Sequence, residues 1–271
     1  MRRTKPVKRA SAGLSPVRAG AALAMLLSAA AIYGVGASSA FEFSDLRVEG
    51  AVFTDEARLR TMLDEVRGQN LFGMKTAPLA DAVRELPTVA DARIRIALPR
   101  TLTVSLVERD PVLLWTVGER RYLADERGVL LGLLDDVPPE QAAGLPQVID
   151  RRAASPGLSV GARLDSVDVD AATRLVSLTP AQLGSRYERF RVLVTDTHGF
   201  ELRAHPEGWT AIFGFYTASL RTTGIIPGQV RLLGELLEGR ETTIQSVILA
   251  DENDGTYVPR VTPSPRASEA P

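Results

Sequence analysis

A chain of 271 residues with 32 basic and 33 acidic side chains is nearly neutral overall, but its charge is unevenly placed. Arg2, Arg3, Lys5, Lys8, Arg9 and Arg18 are the only charges in the first 18 residues, and without these six the remainder sets 26 basic against 33 acidic residues, a formal −7. That balance excludes a domain with the basic footprint of a nucleic-acid binder and one held broadly to anionic lipid. The absence of cysteine excludes disulfides, thiolate chemistry and Cys-based zinc sites.

Residues 19–41 carry no charge, and about 20 apolar residues suffice to cross a bilayer as a helix. The basic flank predicts a cytoplasmic N-terminus, residues 1–18, and an extracytoplasmic remainder. Ser38-Ser39-Ala40 offers small residues to a signal peptidase, so cleavage is a second reading. The long basic region, and an apolar run beyond the usual ~7–15 residues, point instead to a retained anchor.

Beyond the span, Phe43–Glu49 reads as a strand with Leu46 and Val48 on one face. Thr54-Asp55-Glu56 reads as a helix start, a capping hydroxyl followed by acids at the positive end of the dipole, with Leu59, Met62, Leu63 and Val66 at helical spacing. A second helix begins near Thr76, with Pro78 in its first turn and Leu79, Ala82, Val83 and Leu86 as its stripe. Val89–Ala97 and Thr101–Glu108 alternate as strands about the turn Leu98-Pro99-Arg100. Strand, helix, helix, strand, strand closes most simply as a three-stranded sheet with both helices on one face.

After Asp110-Pro111 the pattern is mainly β. Strands are expected at Val112–Val117, Arg121–Ala124 and Val129–Leu134, with residues 125–128 as a turn. Residues 151–165 are poorly patterned, and Asp170–Leu178 reads as a helix. A hairpin is expected from Phe190–Thr195 and Phe200–Ala204 about residues 196–199. A strand at Trp209–Phe213 precedes an amphipathic helix at Pro227–Leu237, then strands at Ile244–Leu249 and Thr256–Val258. The segment 259–271, rich in Pro and Ser, is expected to be disordered.

No sequence pattern singles out catalysis. The two histidines, His198 and His205, match no metal-ligand spacing, and neither a phosphate loop, a dinucleotide fingerprint nor a nucleophile elbow occurs. Asp135-Asp136 and Glu140 read as an ordinary polar loop, although a hydrolase with an unrecognised carboxylate pair is a reading that composition leaves open. Trp115, Trp209, Phe213 and Phe215 are expected in the core rather than at a binding surface. The sequence thus predicts no enzyme, no cofactor and no metal.

Several motifs in this order resemble the bacterial cell-division family FtsQ/DivIB. They are Phe43-x-x-x-x-Val48-x-Gly50, Leu86-Pro87-x-Val89-x-x-Ala92-x-Ile94, Leu98-Pro99-x-Thr101-Leu102-x-Val104, Glu108-Arg109-x-Pro111 and Leu123-x-Asp125-x-x-Gly128. The chain departs from the family pattern at Leu98, where tryptophan is usual, and at Ile248, where an acid is usual. The resemblance implies an α+β architecture: a cytoplasmic tail (1–18), a transmembrane helix (19–41), a polypeptide-transport-associated (POTRA) domain (42–110), an FtsQ-type, mainly antiparallel β domain (111–258) and a disordered tail (259–271). It implies a retained anchor in the plasma or inner membrane. It also implies a scaffold at the division septum that binds FtsB-like and FtsL-like bitopic proteins and other septal components, but no nucleic acid. Strand addition would place the partner beside Ser246, Val247, Ile248, Leu249, Thr256, Tyr257 and Val258, with Tyr257 either an anchor or a cover over the domain's end. A POTRA-type chaperone for exported polypeptides is the alternative.

Overall fold

The computed structural model describes residues 16–260; residues 1–15 of the basic tail and residues 261–271 of the expected disordered tail lie outside the described residues. By contact density the described chain divides into two units. One comprises residues 16–51, 55–83 and 92–106, the other residues 52–54, 84–91 and 107–260.

The first unit opens with α1 (Pro16–Ala37), of which Pro16–Gly36 is long and apolar enough to cross a membrane. At 1.5 Å per residue its 22 residues reach about 33 Å, the thickness of a hydrocarbon core. The helix is displaced from the expected 19–41. It takes in Arg18 at its start and stops at Ala37, because the Ser38 hydroxyl accepts the Ala40 N–H and begins a separate 3-10 turn, Ser39–Phe41.

β1 (Asp45–Glu49), α2 (Glu56–Asp64), α3 (Thr76–Arg84), β2 (Val89–Ala97) and β3 (Thr101–Glu108) follow in the expected order. The sheet order is β1-β3-β2, with β1 parallel to β3. Leu59, Leu63, Ala80, Val83, Leu102 and Val104 are buried, as their helical and alternating spacings require. Two expectations shift by local chemistry. Phe43 is buried ahead of the strand, its N–H donating to Gln69 and its carbonyl accepting from Gly68. Asp55, not Thr54, caps α2 by accepting the Ala57 N–H, while the Thr54 hydroxyl pairs with Thr88. At Gly50 a Cβ would sit 2.4 Å from the Leu106 carbonyl oxygen, so only glycine passes there.

The second unit is a nine-stranded sheet: β4 (Pro111–Val117), β5 (Arg120–Asp125), β6 (Leu130–Leu133), β7 (Gln147–Asp150), β8 (Arg189–Thr195), β9 (Gly199–His205), β10 (Thr210–Gly214), β11 (Ile244–Leu249) and β12 (Gly255–Pro259). The spatial order is β12-β11-β10-β9-β8-β7-β4-β5-β6. Only β4–β7, β7–β8 and β10–β11 pair in parallel. α4 (Ser166–Val176) lies against β7, β8 and β9, and α5 (Ile226–Leu237) against β10, β11 and β12.

Trp115, Trp209 and Phe213 are fully buried in this unit's core, whereas Phe215 is half exposed. The short central strand β7 is absent from the sequence reading, since four residues behind Pro146 give too little alternation to register. α4 starts four residues before the expected Asp170, with Asp165 accepting the Val167 N–H at its cap.

Asp150, at the end of β7, holds the sheet's centre. Its carboxylate accepts from the Trp115 indole at 3.0 Å and from the Arg152 guanidinium at 2.8 Å, and Arg152 also reaches Asp168. Burial alone would push the carboxyl up, but the side-chain and backbone N–H groups of Arg152, with Ser155, outweigh it and hold Asp150 below its ordinary value of 3.8. A lowered carboxylate pKa contributes stability that is present above the unfolded value and lost as pH falls through the folded one. Asp150→Asn should therefore lower stability by about 3 kcal/mol at pH 7. It should also flatten the pH dependence below pH 3.8, read by urea denaturation at pH 7, 4 and 3.

Candidate functional site

The two edges of the nine-stranded sheet are treated differently. On β6, Leu130 donates to the Ala162 carbonyl and accepts from Gly161, and Leu164 donates to Gly128. Val129 bridges Arg163. The segment 161–164 thus covers the start of that edge, and the strand gives way after four residues to a 3-10 turn, Leu134–Asp136. Among the described residues no segment pairs with the outer side of β12.

The main-chain groups presented by β12 follow from its register. The Ala250 N–H donates to Asp254, and the Arg260 N–H donates to Thr243. β11 and β12 pair Leu249 with Gly255, Ile248 with Thr256, Val247 with Tyr257 and Ser246 with Val258. Alternation along an antiparallel pair then turns Thr256 and Val258 toward β11 and leaves Gly255, Tyr257 and Pro259 facing outward. Gly255 and Tyr257 each offer an N–H and a carbonyl, while Pro259 offers a carbonyl only and ends the row of donors.

The side chains of the expected site divide accordingly. Val247 and Leu249 are buried in the core, and β11 is paired on both sides, to β10 and β12. Ser246 is half-buried. Ile248, Tyr257 and Val258 are each 43% exposed, and Thr256 is exposed. Ile248, Thr256 and Val258 share the outer face, since paired residues point the same way. Tyr257 lies on the α5 face with the Arg240 guanidinium 6.0 Å from its ring centroid. It thus stacks with Arg240, three residues beyond the end of α5, and borders the edge. Arg240, Gly255 and Pro259 complete this surface and were not singled out by sequence.

A buried polar cluster sets the position of the edge. Gln229, fully buried in α5, donates to the carbonyls of Phe213 (3.2 Å) and Leu249 (3.1 Å) where β10 and β11 end, and accepts from the Tyr216 hydroxyl. Burial pushes the Tyr216 phenol up, so it stays a donor. Arg221 donates to the same two carbonyls and to Ala250. α5 approaches the β11–β12 turn closely because residue 228 is glycine: a Cβ there would sit 2.3 Å from the Glu252 Cβ. Within the turn, the Asp251 carboxylate accepts from the Asn253 and Asp254 N–H groups, and these bonds hold it below the ordinary carboxylate range. Its acids stand at one end of β12, and Arg240 and Arg260 at the other.

Among the described residues there is no group of three or more His, Cys, Asp or Glu placed to hold a metal. His198 Nδ1 lies 3.1 Å from the buried Glu201. Burial would push that carboxyl up, but Arg203, His198 and Thr195 together hold it below its ordinary value.

Among the described residues, one apolar helix, a βααββ module and a large, mainly antiparallel sheet define an α+β protein of POTRA type, and that helix fits a single-pass membrane protein. A family profile described as "POTRA domain, FtsQ-type" matches residues 41–109. Three similar proteins each carry the name "Cell division protein FtsQ". That of Chloroflexus aurantiacus is 26% identical over 248 residues, 91% of this chain and 80% of the relative. That of Novosphingobium aromaticivorans is 32% identical over 150 residues, 54% and 41% of the two. That of Mycobacteroides abscessus is 32% identical over 111 residues, 39% and 36%. Residues 41–109 thus carry an FtsQ-type POTRA domain, and the chain is similar over most of its length to a protein named for cell division.

The close approach at Gly228 is testable. Alanine ordinarily favours a helix by up to about 1 kcal/mol over glycine, yet Gly228→Ala should destabilise this unit by roughly 1–3 kcal/mol as the Glu252 turn is forced away. Faster amide exchange at Thr256 and Val258, whose N–H groups face β11, would accompany it, measured by hydrogen–deuterium exchange.

Proposed function

We propose that this chain is a non-enzymatic scaffold of the bacterial divisome that links early and late division proteins by presenting β12 to a partner strand. The observation that carries this reading is the open edge of β12 beside the covered edge of β6. A partner pairing along Gly255–Pro259 would gain main-chain hydrogen bonds at Gly255 and Tyr257, and side-chain selectivity from Ile248 and Val258 on one face and Tyr257 on the other. Ser246, Val247, Leu249 and Thr256 then support the strand from within the sheet. An open edge is also an aggregation hazard, which a resident partner removes.

In this reading the partners are FtsB-like and FtsL-like bitopic proteins. Residues 42–110 act as the POTRA domain and 111–258 as the partner-binding domain. α1 holds both at the outer surface of the plasma or inner membrane at the septum, with the N-terminus in the cytoplasm. Relatives named for cell division support this above a chaperone for exported polypeptides.

Tyr257→Asp places a charge at the centre of the edge and should weaken co-purification of the FtsB-like partner by about 30-fold or more, the loss typical of a hot-spot residue. Unchanged capture would rule out this edge. Depletion of the protein in its host should give filaments without septa, seen by microscopy, and normal division after clean deletion would refute the division role.

A further inference from the structure

Two loops of the first unit meet at the exit of α1, and a third, the β2–β3 turn, lies against Ser44 and Asp45 just beyond it; each carries an apolar side chain. Asn70 donates through Nδ2 to the carbonyls of Val35 (3.1 Å) and Ser38 (3.2 Å), so the segment that follows α2 satisfies acceptors at the end of the helix. The Asn70 side chain also accepts the Phe72 N–H, and its backbone bridges Glu42. The 3-10 turn Leu71–Gly73 is thereby fixed beside the residues that leave α1. Phe72, 55% exposed, meets Phe41 edge-to-face with ring centroids 5.0 Å apart.

The β2–β3 turn lies at the same end. β1 runs away from α1, and its parallel partner β3 starts level with it, Asp45 against Thr101. The Arg100 carbonyl accepts the N–H groups of Ser44 and Asp45. Leu98, in that turn, is 54% exposed. Phe41 lies only four residues beyond Ala37, within about 10 Å of the helix end even in an extended 3-10 rise. The polar boundary of a bilayer is roughly 5–8 Å deep on each side.

We propose that Phe72 and Leu98, with Phe41 between them and α1, form a membrane-contact surface that seats the POTRA module in the phospholipid interface around its own span. The inference rests on α1 crossing the bilayer. The occupant follows from continuity: a helix that fills the hydrocarbon brings its exit loops to headgroup depth, where aromatic and leucine side chains are favoured. The charges near these residues in sequence are mixed, with Glu42 and Asp45 after Phe41, Lys75 after Phe72 and Arg100 after Leu98, and Arg67 donates to the Ser44 carbonyl, so apolar burial drives the contact rather than attraction to anionic lipid. Two anchored loops beside a helix restrict the tilt of the module about the end of α1 far more than a single flexible connection would.

The absence of cysteine makes the test direct. Gly73→Cys adds a side chain where a Cβ meets no heavy atom within 4 Å, and it leaves Phe41, Phe72 and Leu98 in place. The full chain is spin-labelled at that position and reconstituted in phosphatidylcholine vesicles, with and without phosphatidylglycerol. Power saturation then compares accessibility to oxygen and to a water-soluble nickel chelate. Tyr33→Cys in α1 reports the span, and Glu119→Cys in the β4–β5 turn reports water. The expected oxygen-to-nickel ratio at residue 73 is at least twofold above that at 119 in both lipid mixtures. It should fall to the value at 119 when Phe72→Ser and Leu98→Ser are combined. A water-like ratio at 73 while residue 33 reads lipid would overturn the contact and leave the span standing. A lipid-like ratio only with phosphatidylglycerol would overturn its apolar basis. A water-like ratio at residue 33 would overturn the span reading itself, and this proposal with it.

Discussion

A sheet that does not close on itself has two rows of main-chain donors and acceptors that no neighbouring strand can satisfy. In the second unit those rows are unequal. The β6 row is short and begins under residues 161–164, whereas among the described residues nothing pairs with the β12 row. Much of the surrounding structure keeps it in place. Gln229 and Arg221 take up the carbonyls where β10 and β11 separate, and Gly228 lets α5 press on the turn that leads into β12. The strand is therefore held on one side by a polar lock and left free on the other. That is the arrangement strand addition needs, because a partner binds with less ordering cost when the template is already rigid.

The buried polar groups of this unit serve position rather than chemistry. Asp150 ties Trp115 to Arg152 at the centre of the sheet, and Glu201 collects Arg203, His198 and Thr195. Each carboxylate is nearly fully buried and multiply bonded, so each specifies one arrangement and is costly to disturb. Both have lowered pKa values, so their contribution weakens only in acid.

Much of the fold was legible because local signals agreed. β2 and β3 alternate cleanly about a Pro turn, and their limits match the sequence reading residue for residue. The motif residues also have visible tasks. Glu108 accepts the N–H groups of Val52, Phe53 and Thr54, Arg109 pairs with Asp125, and Asp125 accepts from Arg127 and Val129 in the turn closed by Gly128. What escaped depends on distant partners. β7 is defined by β4 and β8, far from it in sequence. Phe43 is buried by its pairing with Gln69 rather than by a strand of its own. At β11 both faces are apolar over Val247–Leu249, so alternation alone could not say that Val247 and Leu249 face inward and Ile248 outward. The outward main chain of Gly255 has no sequence signature, although a glycine inside α5 at residue 228 is a signal of close packing that could have been read.

Strand addition at β12 acts on backbone groups, and amide exchange reads them directly. Hydrogen–deuterium exchange should be recorded on the full chain with and without an FtsB-like partner. Binding should bring new protection at the amides of Gly255 and Tyr257, with little change at Thr256 and Val258, whose N–H groups already face β11. Protection confined to β6, or none along β12 despite binding, would contradict it.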